Sequence, residues 1–419
     1  MFLMRRAKVE DVPTLLKLAK MVHFINLPAD KDIIGDKISW SRQCFLKATR
    51  GEPAGGKAGT SKGKPGKSAA TNQPSKSAAS TGQSGLASAV TRSDLFMFAL
   101  EDTESGGVLG TSQIISKMGG PGHPNVSFAL HRKAKFSTSL QVGATHTVAK
   151  LVLDESGPTE IGGLILQPSY RGHKAKLGRF LSLVRFHFVG LHPRLFSDRI
   201  IAEMMGPLTP DGHNTLWEYL GRRFINLTYP EADNFCQYSK EFIISLLPHE
   251  EIYLTLLPPE ARSVIAEVGP ETIPARRLLE KLGFAYKNQI DVFDGGPMLE
   301  CATKDISIVK RTRLATLGDA AEVSDCRELA MISHVDDDGE FRCVNVPAKI
   351  GRDGTVSLAQ EHMTLLQAEP GAEIGVTPMG EPAPGSGLAA GDDGVAAQSS
   401  ASSVAKRPRS SRRSATPRR

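Results

Sequence analysis

The sequence predicts a mixed α/β fold, one sheet flanked by helices. Three observations predict it. Short β-compatible runs alternate with helical runs along most of the chain. A Gly106-Gly107 pair joins two apolar runs in the manner of a hairpin. A clean apolar strand at 160–166 leads through a Gly- and Lys-containing loop into a helical pattern at 177–189.

In chain order, 2–9 reads as a strand. Asp11 and Pro13 open a helix whose apolar face is Leu15, Leu16, Leu18, Ala19 and Val22, and 32–45 is a second helix. Residues 50–93 are mainly Gly, Ser, Ala, Lys, Pro and Thr. They bury too little to offset their ordering entropy, so they read as a disordered insertion. Patterning resumes with 95–100 and 108–115 as the hairpin, 125–153 as further strands, and 160–166 as the apolar strand. After the 177–189 helix come a strand at 199–204, a short helix at 214–220 and a strand at 223–227. Helices are expected at 235–247, 259–268 and 274–282, the last closed by Gly283, and a strand at 284–293. The folded body is therefore 1–49 plus 94–305. Residues 306–379 read as a small β-leaning appendage, and 380–419 as a disordered basic tail.

The net charge of +6 conceals a division. The last fifteen residues carry +7 and the insertion +6, so the remainder carries −7. An acidic body favours a cationic small substrate. The tail has no aromatic residue to stack on bases and reads as a solvated, unselective segment, not a nucleic-acid site. Five cysteines, scattered and without a C-x-x-C pair, argue against a disulfide framework or a zinc knuckle. No apolar run is long enough to span a membrane, and no secretory signal is evident, so a cytoplasmic protein is expected. Asp336-Asp337-Asp338-Gly339 has the look of a calcium loop but lacks the later acidic ligand, and no metal is expected.

The most informative stretch is T-E-I-G-G-L-I-L-Q-P-S-Y-R-G-H-K-A-K-L-G-R-F-L at 159–181. Free amides at a helix start bind phosphate, and Arg171, Lys174 and Lys176, with Gly172 and Gly178, add charge and close approach. This loop resembles the pyrophosphate-binding loop of the GNAT acetyltransferase superfamily, with lysines where the usual loop has more closely spaced glycines. Two helix strings ending in Leu-Gly, around Trp217 to Phe224 and Ala275 to Phe284, are similar to that superfamily too. Three strings together resemble the arginine N-succinyltransferases: R-I-I-A-E-M-M-G at 199–206, W-E-Y-L-G-R-R-F at 217–224, and I-D-V-F-D-G-G-P-M-L-E-C at 290–301. The resemblance covers 1–49 and 94–312.

It implies an acetyltransferase-like (GNAT) mixed sheet flanked by helices, and transfer of succinyl from succinyl-CoA to the α-amine of arginine, in arginine catabolism. It also implies a homo-oligomer, succinyl-CoA as co-substrate, and no permanently bound cofactor. Leu164 matches the family's substrate-contacting leucine. Direct attack in a ternary complex needs no covalent nucleophile, so Cys236 and Cys301 are expected to pack. The family's histidine precedes the proline of an H-P-x-T-x-P-A string, and Gly269 stands at that position here. His249 and Glu271 are the replacement candidates for proton transfer, with Glu267 also nearby. Gripping a guanidinium needs buried carboxylate, for which Glu203, Asp291, Asp294 and Glu300 are candidates. Asp291 and Asp294 equally fit a role in shaping the turn at Gly295-Gly296. The alternatives are a same-fold acyltransferase with another acyl-CoA or amine, and a non-catalytic arginine or acyl-CoA binding protein.

Overall fold

The computed structural model describes residues 1–21, 27–51, 92–236 and 239–380. Apart from their end residues, the 50–93 insertion and the 380–419 tail lie outside the described residues.

The first half alternates as its patterning requires. Strand β1 (Phe2–Arg6) precedes α1 (Val12–Lys20), which carries Pro13 in its first turn. Helix α2 (Lys31–Thr49) starts where the Asp30 carboxylate accepts from the amides of Asp32 and Ile33. Strands β2 (Leu95–Asp102) and β3 (Gly107–Ile115) form the hairpin turned by Gly106, at φ +67°. Then come β4 (Asn125–Ser137), β5 (Val142–Asp154), β6 (Thr159–Leu166), α3 (Leu177–Leu191) and β7 (Arg199–Glu203).

The second half departs further from the expected pattern. The expected strand at 223–227 is absent. A π-helical turn at Trp217–Gly221 runs on into α4 (Arg222–Phe224). Gly221 does not stop that helix. A Cβ there would lie 2.3 Å from the Trp217 ring, so glycine makes room for the indole. The single helix expected at 235–247 is instead α5 (Tyr229–Phe235) and α6 (Glu241–Leu246), because Thr228 caps an earlier start in a capping box with Glu231. After β8 (Ile252–Tyr253), α7 (Pro259–Ser263) is shorter than expected. Helix α8 (Ile273–Leu282) ends on Gly283 at φ +108°, and β9 (Ala285–Asp291) and β10 (Pro297–Ala302) follow. The last elements are α9 (Ser307–Arg311), β11 (Arg313–Leu317), β12 (Glu328–Val335), β13 (Phe341–Ile350), β14 (Thr355–Ser357), α10 (Gln360–Leu366) and β15 (Glu373–Pro378).

These strands join one sheet, running β8-β5-β4-β9-β10-β7-β6-β3-β2-β1-β13. At β13 the sheet closes on itself. β13 pairs with both β12 and β14, β12 pairs with β15, and β15 with β11, which returns to β14. Strands of the 306–379 segment thus form a five-strand ring, stitched to the body by Met4↔Cys343 and Arg5↔Arg342. Inside it pack Leu317, Ile332, Val344, Val356, Leu366 and Val376. Residues Met1–Gly380 form one compact unit. The pairings are antiparallel except β6–β7 and β11–β14.

Helix α3 is buried almost all round, so the structure covers every face of it. Phe188 meets Phe45 of α2, Phe96 and Phe98 of β2, and Phe341 of the ring. The preceding residue, fully buried His187, contacts Thr377 Oγ1 at 2.6 Å and Ser333 Oγ at 2.7 Å, and Thr377 Oγ1 contacts Thr312 Oγ1 at 2.6 Å. Those hydroxyls fix the ring to the helix. Burial, and then the His192 charge, pulls the His187 pKa down to about 3, so the imidazole stays neutral in the fold. Unfolded, it titrates near 6.5. The unfolded chain therefore binds the extra proton between those values, and stability falls as pH drops through that window. Denaturant titrations from pH 7 to 4 should show this fall. His187→Gln should flatten it by about one proton, roughly 1.4 kcal/mol per pH unit.

Candidate functional site

The site is built around a parallel pair that stops short. β6 and β7 pair at Thr159↔Ile200 and Glu160↔Ile201, and no further β6–β7 pair exists among the described residues. Past Glu160 the two strands diverge, and one edge of β6 is left without a neighbouring strand. On its other edge β6 runs against β3, and there the register jumps between Gln113↔Gly162 and Thr111↔Ile165. Gly163 and Leu164 together oppose Ser112, which is a bulge. Gly163 sits at φ +56°, and a Cβ on it would lie 2.9 Å from Gln113 Cγ, so conformation and space both demand glycine. Half-buried Leu164 is the second residue of this bulge, where the backbone leaves the ladder.

β6 then delivers the chain to the loop before α3. Gly172 (φ +75°) and Lys176 (φ +50°) turn it, and Lys176 in the left-handed region opens the helix without a side-chain cap. The amides of Leu177 and Gly178 begin α3, where no preceding turn supplies carbonyls to them. Lys174 and Lys176 are exposed. His173 pins the loop through edge contacts with Phe2 and its Nδ1, which accepts from the Ala175 amide at 3.2 Å. Arg171 reaches Glu271 across a 2.9 Å ion pair, joining this loop to the segment before α8. The arrangement suits a multiply charged anion.

At the far end of β7 the chemistry reverses. Asn125 donates to Glu203 at 3.2 Å. Asp291 and Asp294 are buried in the turn that links β9 to β10. The Asp294 carboxylate accepts from the amides of Gly206 (2.9 Å) and Gly296 (2.7 Å). Asp291 Oδ1 accepts from Phe293 (2.7 Å) and Asp294 (2.9 Å), and its Oδ2 has no hydrogen-bond partner among the described residues. Asp294 therefore shapes the turn with both oxygens, and Asp291 with one. A Cβ on Gly296 would lie 1.8 Å from the Met204 carbonyl, so this turn docks backbone on backbone against 204–206. Asp233 adds a fourth carboxylate whose Oδ1 is buried without a partner. None of Glu203, Asp233, Asp291 and Asp294 forms an ion pair among the described residues. Burial lifts the Asp294 pKa to about 6, with the Glu203 charge adding to it. Burial and then Asp294 lift Asp233 to about 6. Asp291 is raised well above the carboxylate range by burial, then by Asp294 and Glu203. Asp233, Asp291 and Asp294, raised together beside the Glu203 carboxylate, form an acidic cluster whose charge a cation would stabilise.

The other sequence candidates have different surroundings. Glu300 pairs with Arg199 at 3.0 Å. His249 is exposed, and its Nε2 donates to the Ile244 carbonyl at 3.0 Å, at the end of α6. Glu271 is held by Arg171. Gly269 is buried, donates to the Met205 carbonyl at 3.1 Å, and has a negative φ. A Cβ there would lie 3.4 Å from the Gly206 carbonyl, an ordinary contact. All five cysteines are buried thiols, and burial pushes Cys236 up to about 12. Sequence reading passed over Asn125, Asp233 and the Gly163 bulge. Only the bulge had a signal, a glycine pair inside an apolar strand.

Comparison with known proteins gives consistent matches. A family profile described as "Arginine N-succinyltransferase beta subunit" matches residues 68–308. Arginine N-succinyltransferase of Enterobacter sp. (strain 638) is 35% identical over 225 residues, 54% of this chain and 64% of that protein. That of Photorhabdus laumondii is 36% identical over 230 residues, 55% of this chain and 66% of that protein. The chain thus matches just under two thirds of the length of these relatives. The fold is shared with arginine/ornithine succinyltransferase subunit AI from Pseudomonas aeruginosa, with a TM-score of 0.69 and 24% identity over 91% of this chain and 99% of that one.

Gly296→Ala is expected to destabilise the protein by about 3 kcal/mol, because the methyl group has no space beside the Met204 carbonyl. Gly178→Ala, whose Cβ would meet only Leu166 Cδ2 at 3.6 Å, should leave stability within about 1 kcal/mol. Thermal unfolding of the two variants checks the contrast.

Proposed function

Because the chain belongs to the arginine N-succinyltransferase family, we propose that it transfers the succinyl group of succinyl-CoA to the α-amine of arginine and releases CoA. One observation carries the reading. The gap between β6 and β7 lies between a cationic loop and a set of carboxylates that form no ion pair among the described residues. Those two ends suit the two substrates.

The pyrophosphate of the donor is assigned to Arg171, Gly172, Lys174, Lys176 and the amides of Leu177 and Gly178. The amide-bearing tail of CoA lies along the free edge of β6 as an added strand would. The bulge at Gly163 and Leu164 then turns backbone toward the thioester, where an oriented amide stabilises charge on the carbonyl oxygen. The guanidinium of arginine is assigned to Glu203, Asp233 and the free oxygen of Asp291. Its amine attacks the carbonyl carbon, a C–N bond forms, and the C–S bond breaks. The amine loses a proton and the thiolate gains one. With Glu271 engaged by Arg171 and His249 by a carbonyl, we assign the proton step to water beside Gly269 in preference to either side chain. The reading extends to a homo-oligomer working in the cytoplasm. No described helix is long and apolar enough to cross a membrane.

The deciding experiment follows thiol release from succinyl-CoA with arginine, and with other amino acids as controls. Arginine-dependent release is the expected result. Binding of CoA without release for any amine would defeat the enzyme reading. Release from acetyl-CoA in preference to succinyl-CoA would replace the donor. The KM for arginine should rise as pH falls through about 6, because Asp233 and Asp294 are neutralised there and lose their attraction for the cation. Gly269→His should raise kcat about tenfold or more, since the site accepts a Cβ and lacks a side-chain proton carrier.

A further inference from the structure

Arg185 lies in the middle of α3 and is 3% exposed. Among the described residues it forms no ion pair. Its Nε donates to the Ser182 carbonyl at 3.1 Å, Nη2 to Ser182 Oγ at 2.8 Å, and Nη1 to the Gly162 carbonyl at 3.5 Å. A guanidinium has five N–H donors. These contacts leave one on each terminal nitrogen, which is the pair that a carboxylate takes in a bidentate fork. A buried cation without a counter-anion is strongly unfavourable, and burial pulls this guanidinium down to about 9. The nearest acid along β6, Glu160, acts on Lys37 of α2. Phe186 offers only a ring at 5.8 Å. Among the described residues the fold thus holds a buried positive charge without a counter-anion.

Its position indicates that partner. Gly162 lies two residues past the last β6–β7 pair, at the throat of the gap, and two residues before Leu164 in the bulge. Two residues of strand span roughly 6.6 Å. In an extended succinyl group the far carboxylate lies roughly 5 Å from the thioester carbonyl, by summing ordinary bond lengths. A donor that enters from the cationic loop with its thioester at the bulge points its acyl chain toward Gly162. We propose that Arg185 receives the distal carboxylate of the acyl group, and so selects a four-carbon dicarboxylic acyl donor over a neutral one. The inference rests on the acyltransferase reading above and deepens it.

The test compares succinyl-CoA with butyryl-CoA, in which a methyl group replaces the carboxylate at equal chain length, using arginine as acceptor. In the wild type, kcat/KM for succinyl-CoA should exceed that for butyryl-CoA at least about 100-fold. Equal use of the two donors by the wild type overturns the proposal without any variant. Arg185→Gln should lower kcat/KM for succinyl-CoA about 100-fold or more, mostly through KM, and leave butyryl-CoA within about threefold. Arg185→Lys should recover part of the preference. An equal loss with both donors, in a variant whose thermal unfolding matches the wild type, would make Arg185 a packing residue and sink the proposal. Arginine-dependent release from no donor at all, by the wild type, would instead defeat the underlying acyltransferase reading.

Discussion

Two parallel pairs, Thr159↔Ile200 and Glu160↔Ile201, hold β6 to β7, and everything the site offers depends on the pairing ending there. A sheet that continued would bury the β6 edge in hydrogen bonds and leave no gap. Divergence exposes that edge, and the bulge at Gly163 and Leu164 adds a local change of direction. The sheet survives the break because each strand is secured on its other side. β6 runs against β3, and β7 is paired with β10 along its whole length.

Helix α3 places three different chemistries along one rigid rod. Its first turn faces the cationic loop, its middle carries the guanidinium of Arg185, which forms no ion pair among the described residues, and its far half carries His187 into the hydroxyls of the ring. A rod buried on every face transmits position well, since neither end moves without disturbing the Phe45, Phe96, Phe98, Phe188 and Phe341 cluster. The ring of β11–β15 is thereby part of the support for the site. Gly190 and Gly375 show how close the contact is. A Cβ on Gly190 would lie 2.7 Å from Thr312, and one on Gly375 would lie 2.4 Å from Leu191.

The string at 290–301 places its two acids in different surroundings. Asp294 shapes the turn with both oxygens, while Asp291 shapes it with one and keeps the other. Packing of Gly296 against the Met204 carbonyl then brings the turn onto the end of β7, where Glu203 stands. Stability and electrostatics are therefore in tension at this point. Backbone amides hold Asp291 and Asp294 beside Glu203 and Asp233, and the raised pKa values of Asp233, Asp291 and Asp294 are the consequence of that burial.

Much of this was legible in order along the chain. The hairpin at Gly106-Gly107, the 160–166 strand, the loop rich in Lys and Gly, the α3 pattern and the Gly283 stop are local features. Each follows from residue type and spacing within about a dozen positions. Local signals failed where a tertiary contact set the outcome. Arg223 to Phe224 remains helical because Gly221 admits the Trp217 ring, and the helix at 235–247 breaks in favour of the capping box at Thr228. The sequence by itself determined which groups are available: the cations of the loop, the acids of 203 and 291–294, and the missing side chain at Gly269. Only the tertiary structure decided which of them are free. Glu271, Glu300 and His249 are engaged by partners distant in sequence or by a helix end, while Asp233, 58 residues before Asp291, joins the acid set. Pairing of a charge depends on what lies within about 4 Å of it, and adjacency along the chain does not report that distance.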